Sequence, residues 1–484
     1  MSLSRRGARR SVLYWLTLLL AAVCINDATP ALALPATSLP PGLTLSVQDD
    51  HLAVTAESNI GARVGLVAST GVRLTRVDVL WNTVAPGRPG SASNPNDAAY
   101  RWSRYDAVVD GFTRRGIAVI LNVYRSPSWA NGNRSYQWAP AESNFAAFMT
   151  ALARRYDGRT RDRAGRVHGP VEMFEPWNEP NLPGFLMPQW QTAADGTATP
   201  ASPRIYAGLL ARAYASVKAV QPGAWVIGVS GGPNGSNNPP NGSVGIVPFI
   251  RGLVQYRPPA DAFAQHLYPA LGPQVSVAMP SYNRLPELIG ELDAVRPGLP
   301  ILITEFGWTT MPTSVRSSFV SPEAQEAYLR QALDMLAAIP RVRLAVWFNL
   351  DDNAEWTSGL RRADSSIKPS WTTFVGLGKF RAPAPPPPAQ IPPVQVPTPD
   401  SAAAPGIAAA TVNSALPVAR ALRDARCPRV ARLVRKTTAD MLAAQRASRK
   451  AVTEAGRKAA TKRLRQLSAQ RKRYQIAFGT ICTR

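Results

Sequence analysis

Between Leu43 and about Lys379, short runs of β-branched and apolar residues alternate with longer segments whose apolar positions recur at helical spacing. The short runs predict strands over Leu43–Val47, Arg73–Leu80, Ile117–Val123, Val171–Trp177, Trp225–Val229, Ala262–Leu267, Ile301–Glu305 and Leu344–Phe348. The longer segments predict helices over Tyr105–Arg115, Glu142–Tyr156, Arg204–Val220, Leu285–Val295 and Glu323–Ala338. Strand and helix in alternation suit an α/β fold, a (β/α)8 TIM barrel of about 250 residues before loop insertions. A doubly wound sheet would carry a Gly-rich phosphate turn after an early strand, and none is present. Loops rich in Gly, Pro, Asn and Trp follow the predicted strands at 81–102, 124–140, 181–203 and 230–245, on the side where barrels hold their sites.

The pattern breaks at both ends. Arg5, Arg6, Arg9 and Arg10 precede the apolar run Val12–Ile25 and then Ala31-Leu32-Ala33, which predicts a signal peptide over residues 1–33, with no stable membrane span once it is removed. Arg9-Arg10 loosely resembles a twin-arginine signal, and either export route fits. The barrel is assigned residues 34–380. Residues 381–410 are Pro/Ala-rich text without apolar periodicity, a linker. Residues 411–484 are rich in Ala, Arg, Lys and Leu, a basic helical segment. Cys427 and Cys482 lie near its ends, with their midpoint beside Gly456, so a helical hairpin turning there would set the thiols side by side. An exported pair meets oxidising conditions, and a disulfide is expected.

Charge sharpens this division. Of the net +24, residues 411–484 carry +16 and residues 1–33 carry +3, which leaves +5 for the long middle. A polyanionic partner is therefore sought at the tail. Arg420, Arg423, Arg426, Arg429, Arg432 and Arg435 recur every third residue, so the charge wraps a helix instead of forming a stripe. A solvated face is one reading, and adhesion to an anionic cell-surface polymer is the sharper one. In an exported protein, surface polymer is favoured over nucleic acid.

Two acids carry the candidate chemistry. Glu179 lies in Phe174-Glu175-Pro176-Trp177-Asn178-Glu179-Pro180-Asn181 and Glu305 in Ile301-Leu302-Ile303-Thr304-Glu305-Phe306-Gly307-Trp308, each where a strand gives way to a loop. Hydrolysis of a glycosidic bond needs one carboxylic acid to protonate the leaving oxygen and one carboxylate facing the anomeric carbon. Glu175, one turn of pleat deeper on a face that alternation shares with Trp177 and Glu179, is the alternative acid; it is better placed to pair inside the barrel. No Cys/His cluster with metal spacing, His-Glu-x-x-His, Gly-x-Ser-x-Gly or phosphate loop is present, and no cofactor is implied.

The octapeptide 174–181 resembles the signature of glycoside hydrolase family 39, in the clan of retaining (β/α)8 glycosidases with Asn-Glu after strand four and Glu after strand seven. The likeness covers residues 43–380. It implies Glu179 as acid/base, Glu305 as nucleophile and Asn178 as a partner of the sugar 2-hydroxyl. It also implies Arg76 on an early strand, and His266 with Tyr268 after strand six, as substrate-site residues, Arg76 and Tyr268 holding the nucleophile ionised. Arg76 could instead pair with Glu175 or Asp78, and His266 could be a core histidine. Trp347 and Trp129 are candidates to face a sugar ring, with core packing as the alternative for each. Twelve tryptophans hint at a groove for several units of a carbohydrate polymer. The rival class is a carbohydrate-binding or adhesion protein on a glycosidase barrel, against which stand the intact acids.

Overall fold

The computed structural model describes residues 42–377 apart from 234–236, 241 and 276–278. The leader 1–33, the linker 381–410 and the hairpin with Cys427 and Cys482 lie outside the described residues. Eight strands form one parallel sheet: β1 (Thr44–Gln48), β2 (Leu74–Leu80), β3 (Ala118–Tyr124), β4 (Met173–Pro176), β5 (Trp225–Gly231), β6 (Ala262–Leu267), β7 (Ile301–Phe306) and β8 (Val342–Phe348). After each comes a helix: α1 (Ile60–Ser69), α2 (Ser103–Thr113), α3 (Glu142–Arg155), α4 (Ser202–Val220), α5 (Ile246–Leu253), α6 (Leu285–Val295), α7 (Pro322–Ala337) and α8 (Pro369–Leu377). The expected TIM barrel is the fold. The helices α1, α5 and α8, not foreseen from periodicity, are the shorter ones, at 10, 8 and 9 residues.

The ladder runs β1-β8-β7-β6-β5-β4-β3-β2. At the seam between its ends, side chains make the stitch: Ser46 Oγ donates to the carbonyl of Leu74 at 2.6 Å, and Thr75 Oγ1 to that of Val47 at 2.7 Å. Strand alternation sorts the residues of every strand. Leu74, Ile120, Met173, Ile227, Ala262, Leu302, Leu344 and Val346 point inward and plug the barrel with apolar side chains. Their neighbours Val77, Leu121, Phe174, Phe263 and Ile303 point outward and pack under the helices. Above the plug the inward positions turn polar, with Gln48, Arg76, Asn122, Glu175 and Thr304 all buried. A polar layer closed from below by apolar side chains can be solvated only from the strand-exit mouth, so the chemistry is confined to that end.

Most of the described tryptophans pack on the core: Trp81, Trp102, Trp177, Trp308 and Trp347 are buried, Trp129, Trp190, Trp225 and Trp371 are partly buried against it, and Trp81 stacks on Phe148 of α3 with ring centroids 5.0 Å apart. Among the described residues, no helix is long and apolar enough to cross a membrane.

Candidate active site

Glu179 is carried by an irregular turn after β4. Trp177 has φ +76° and Glu179 φ +39°, left-handed values that cost an L-residue about 1–3 kcal/mol and persist only where surroundings fix them. Here the fixing groups come from β5: the Glu179 amide donates to the Ser230 carbonyl at 3.0 Å, and Asn181 Oδ1 accepts from the Gly232 amide at 2.8 Å. Gly232 permits the approach, because a Cβ there would stand 3.0 Å from the Glu179 carboxyl carbon. The turn also breaks the alternation expected through Trp177. That ring swings outward, its Nε1 donating to the Phe185 carbonyl, and packs T-shaped against Phe145 of α3.

Glu305 is carried by β7, and a register irregularity aims it. Opposite β6 the pairing passes from Ala264↔Leu302 to His266↔Glu305, one extra residue on β7. Thr304 and Glu305 therefore both turn inward, Thr304 Oγ1 donating to Glu175 at 2.9 Å while Glu305 reaches the mouth.

Arg76 ties the polar layer together. Its Nε donates to Glu175, Nη1 to Glu305 Oε1 and to Gln48 Oε1, each at 2.7 Å, and Nη2 to Asn178 Oδ1 at 2.7 Å. This arginine pairs with Glu175 and with Glu305 at once, and Asp78 also lies 3.4 Å from Nη1. Tyr268 Oη donates to the other oxygen, Glu305 Oε2, at 2.6 Å. His266 Nδ1 stands 2.8 Å from Glu179 Oε1 and 3.5 Å from Glu305 Oε2. The side chains of Glu179 and Glu305 keep 11% and 10% of their exposure, whereas Arg76, Glu175 and His266 keep none. The two acids are reachable from the mouth, and their supports are not.

Burial lifts the pKa of Glu305 above the ordinary glutamate value, more than His266 and Arg76 pull it down. Burial also works against a charged His266, but the carboxylates of Glu305 and Glu179 outweigh it and leave that imidazole with a raised pKa. Tyr268 is pushed well above its usual value by burial and then by the Glu305 charge, so it remains a donor. The raised Glu305 pKa has a definite sign. Relative to the unfolded chain this group favours the fold below its ordinary pKa, and that contribution disappears as pH rises through the raised value. A reaction needing the carboxylate has the opposite dependence: its kcat/KM should fall on acidification at a pH above the ordinary glutamate pKa of about 4.3. An acid limb at or below that value in a pH–rate profile would contradict the placement.

One oxygen of Glu179, one of Glu305 and a ring nitrogen of His266 lie within 4.8 Å of one another, the geometry of a cation site as well as of a carboxylate pair. The donor set favours the pair. Arg76 already brings a fixed positive charge to Glu305, and both Glu305 oxygens accept strong hydrogen bonds.

Six of the residues foreseen from sequence converge here: Arg76, Asn178, Glu179, His266, Tyr268 and Glu305. Trp347 does not, and the expectation is corrected. Val346 points into the barrel, so Trp347 faces the helices, wholly buried against Phe306 and Trp308 with Nε1 donating to the Ser358 carbonyl. The inward aromatics are its neighbour Phe348 and the half-buried Trp356, which lie 6.0 and 4.8 Å from the Tyr268 ring. Trp129 packs edge-on against Trp81 and donates to the Ala85 carbonyl; no contact joins it to the acids. Gln48, Asp50, Asp78, Asn122 and Tyr124 were missed. Gln48 Nε2 donates to Asp50 and Asp78 at 3.0 and 3.3 Å, and Asn122 Nδ2 to Asp78 at 2.9 Å. Desolvation, then the charges of Asp78 and Glu305, pushes Asp50 well above the usual aspartate range. Alternation from Arg76 would have found Asp78 two residues on, and its strand partner Asn122 after that.

No curated protein is similar enough to be matched. Among solved structures the chain is similar to a family 5, subfamily 18 protein from Streptomyces cattleya crystallised with GlcNAc, at 15% identity and TM-score 0.50, covering 72% of this chain and 83% of that one. It is also similar to a family 39 glycoside hydrolase from Bacteroides cellulosilyticus WH2, at 20% identity and TM-score 0.47, covering 70% of this chain and 64% of that one. A family 39 β-xylosidase from Caulobacter crescentus matches at 17% identity and TM-score 0.48, over 72% and 73% of the two chains. The chain thus spans a little less than two thirds of the Bacteroides protein's length, and at these identities the likeness concerns the fold. The octapeptide resembles family 39, while the family model that matches, over residues 50–351, is that of cellulase: the chain belongs to glycosyl hydrolase family 5, in the same clan of (β/α)8 glycosidases.

Proposed function

We propose that this protein is a glycoside hydrolase that cleaves O-glycosidic bonds of a carbohydrate polymer or oligosaccharide by double displacement, with retention. The observation that carries the reading is the approach of Glu179 and Glu305 oxygens to within 4.8 Å. Retaining pairs stand about 5–5.5 Å apart, and inverting pairs, which admit a water, about 6.5–9.5 Å. In the first step a Glu305 oxygen bonds to the anomeric carbon as the Glu179 proton passes to the departing glycosidic oxygen. In the second, Glu179 takes a proton from water, which attacks the same carbon and releases Glu305. Arg76 and Tyr268 hold one Glu305 oxygen each, so the nucleophile does not rotate during attack. Asn178 has its Oδ1 occupied by Arg76 and Asn122, which leaves Nδ2 to donate to a sugar hydroxyl.

Glu179→Gln tests the acid role. Turnover of glycosides with poor leaving groups should fall by about 10²–10⁴, and that of activated aryl glycosides far less in the glycosylation step. Equal losses across a leaving-group series would contradict the assignment. The proposal extends to the flanking segments: residues 1–33 export the chain, and the basic segment 411–484, closed by Cys427 and Cys482, holds it on an anionic surface polymer. Removing residues 381–484 should leave cleavage of a soluble substrate unchanged and abolish salt-sensitive retention on an acidic polymer. Loss of cleavage with the tail would contradict this division.

A further inference from the structure

Three arginines in the strand-exit loops, Arg125, Arg134 and Arg316, hold their guanidiniums over aromatic rings, and among the described residues none of them is in an ion pair. Arg125, directly after β3, holds its guanidinium 4.8 Å from the Tyr136 ring and 5.7 Å from Tyr124. Arg134, in the same loop, lies 4.2 Å from Trp138. Arg316, in the loop after β7, lies 5.6 Å from Tyr268 and 5.5 Å from Trp356. Its Nη2 donates to the carbonyls of Tyr268 and Pro269, which leaves Nε and Nη1 without a hydrogen bond among the described residues. Arg125 Nε is likewise enclosed without a partner among them. Elsewhere on the barrel, Arg63 pairs with Asp49 and Asp351, Arg155 with Asp106 and Arg361 with Asp351. Among the described residues, neither Arg125 nor Arg316 has such an ion pair.

Their placement is specific. Arg125 rests on Tyr124, whose hydroxyl donates to Asp78, and Arg316 on Tyr268, whose hydroxyl donates to Glu305. In the ladder β3 and β7 stand four strands apart in either direction, so the loops that carry Arg125 and Arg316 leave the barrel on opposite sides of its mouth. Stacking on a ring satisfies one face of a guanidinium and leaves its in-plane N–H groups for a planar anion. Burial already depresses the pKa of Arg316, with only Glu179 and Tyr268 pulling the other way, so an arriving anion would relieve it. At the centre of the site Asp50, Asp78 and Glu305 lie close together and Arg76 is already engaged by carboxylates, so anionic groups of a glycan are better met by Arg125 and Arg316 on the flanking loops.

We infer that the glycan taken by this cleft is anionic, bearing carboxylate groups on units either side of the cleaved bond, and that Arg125 and Arg316 are the residues that select it. This rests on reading the mouth as a glycan cleft; it does not rest on turnover. The test is equilibrium binding to the full chain, followed by tryptophan fluorescence. Trp356 and Trp138 lie beside the arginines, and the sequence holds no tryptophan after Trp371, so the basic tail is silent. The probes are a cello-oligosaccharide and its C6-carboxylated counterpart, which share one backbone. The carboxylated probe should bind more tightly, lose affinity with salt, and weaken about tenfold or more in the Arg125→Gln/Arg316→Gln double variant, while the neutral probe is unmoved. Arg316→Lys should keep the salt dependence of binding and lose part of the affinity, since an ammonium supplies charge without the planar fork, whereas Arg316→Gln loses both, which separates charge from folding. Equal losses for both probes, or no carboxylate-dependent binding in the wild-type chain, would overturn the inference. Failure of Glu179→Gln to discriminate leaving groups would instead count against the hydrolase and leave the binding result standing.

Discussion

On the proposed mechanism Glu305→Ala should lower kcat by roughly 10⁴–10⁶, because the chemical step loses the group assigned to bond to the anomeric carbon. Azide should restore part of the rate with an activated aryl glycoside, since the removed carboxylate leaves a gap that a small anion can enter and attack from the same face. The surroundings of that gap survive the substitution: Arg76 stays anchored to Glu175 and Asn178, and Tyr268 stays packed against Phe348 and Trp356. Both donors that held Glu305 are then available to the azide. A variant with wild-type turnover would remove Glu305 from the nucleophile role. A dead variant with no azide rescue would direct attention to Arg76, whose remaining bonds must position the incoming anion.

Arg76→Met is the second large effect, and it reaches stability as well as rate. The guanidinium is fully buried, and its loss leaves Glu175 enclosed with Thr304 as its remaining side-chain partner. Breaking a buried pair in this way costs about 3–5 kcal/mol, whereas a paired charge in the same place is close to neutral. Glu305 would lose the donor on Oε1, and a missing donor at a reacting centre costs on the order of 10²–10³ in kcat. Arg76→Lys should fail almost as badly in catalysis, because one ammonium cannot reach Glu175, Glu305, Gln48 and Asn178 together. Chemical denaturation of Arg76→Met is the check; unchanged stability would show that Glu175 finds protonation or water cheap.

The barrel was legible because its strands repeat one alternation, apolar inward at the base and apolar outward beneath the helices, with boundaries that shift by only a few residues. Six residues that meet in the candidate site were legible because the motifs around Glu179 and Glu305, near the ends of strands, resemble those of a known glycosidase clan, and that likeness brought Arg76, Asn178, His266 and Tyr268 with them. The failures share a cause. Trp347 was placed by its distance from the strand end, while the side it faces is set by the inward Val346 before it. Trp177 was read through a continuous pleat, while a positive φ turns the chain at that residue. The inward run of Thr304 and Glu305 depends on a register shift that periodicity alone does not reveal. Gln48 and Asp50 were hidden because β1 is short and only half apolar, with a 3-10 turn directly after it. Local pattern locates strands; which residues meet across the mouth depends on bulges and turns that are fixed by partners far along the chain.

The stereochemistry of the first-formed product tests the central claim most directly. Proton NMR of the released sugar, recorded before mutarotation, should show the anomer that the substrate had, because carboxyl oxygens within 4.8 Å fall on the retaining side of the carboxyl spacing, too close to hold a sugar ring and an attacking water between them in the first step. Initial appearance of the opposite anomer would mean that water attacks directly, and Glu305 would then be a base instead of a nucleophile.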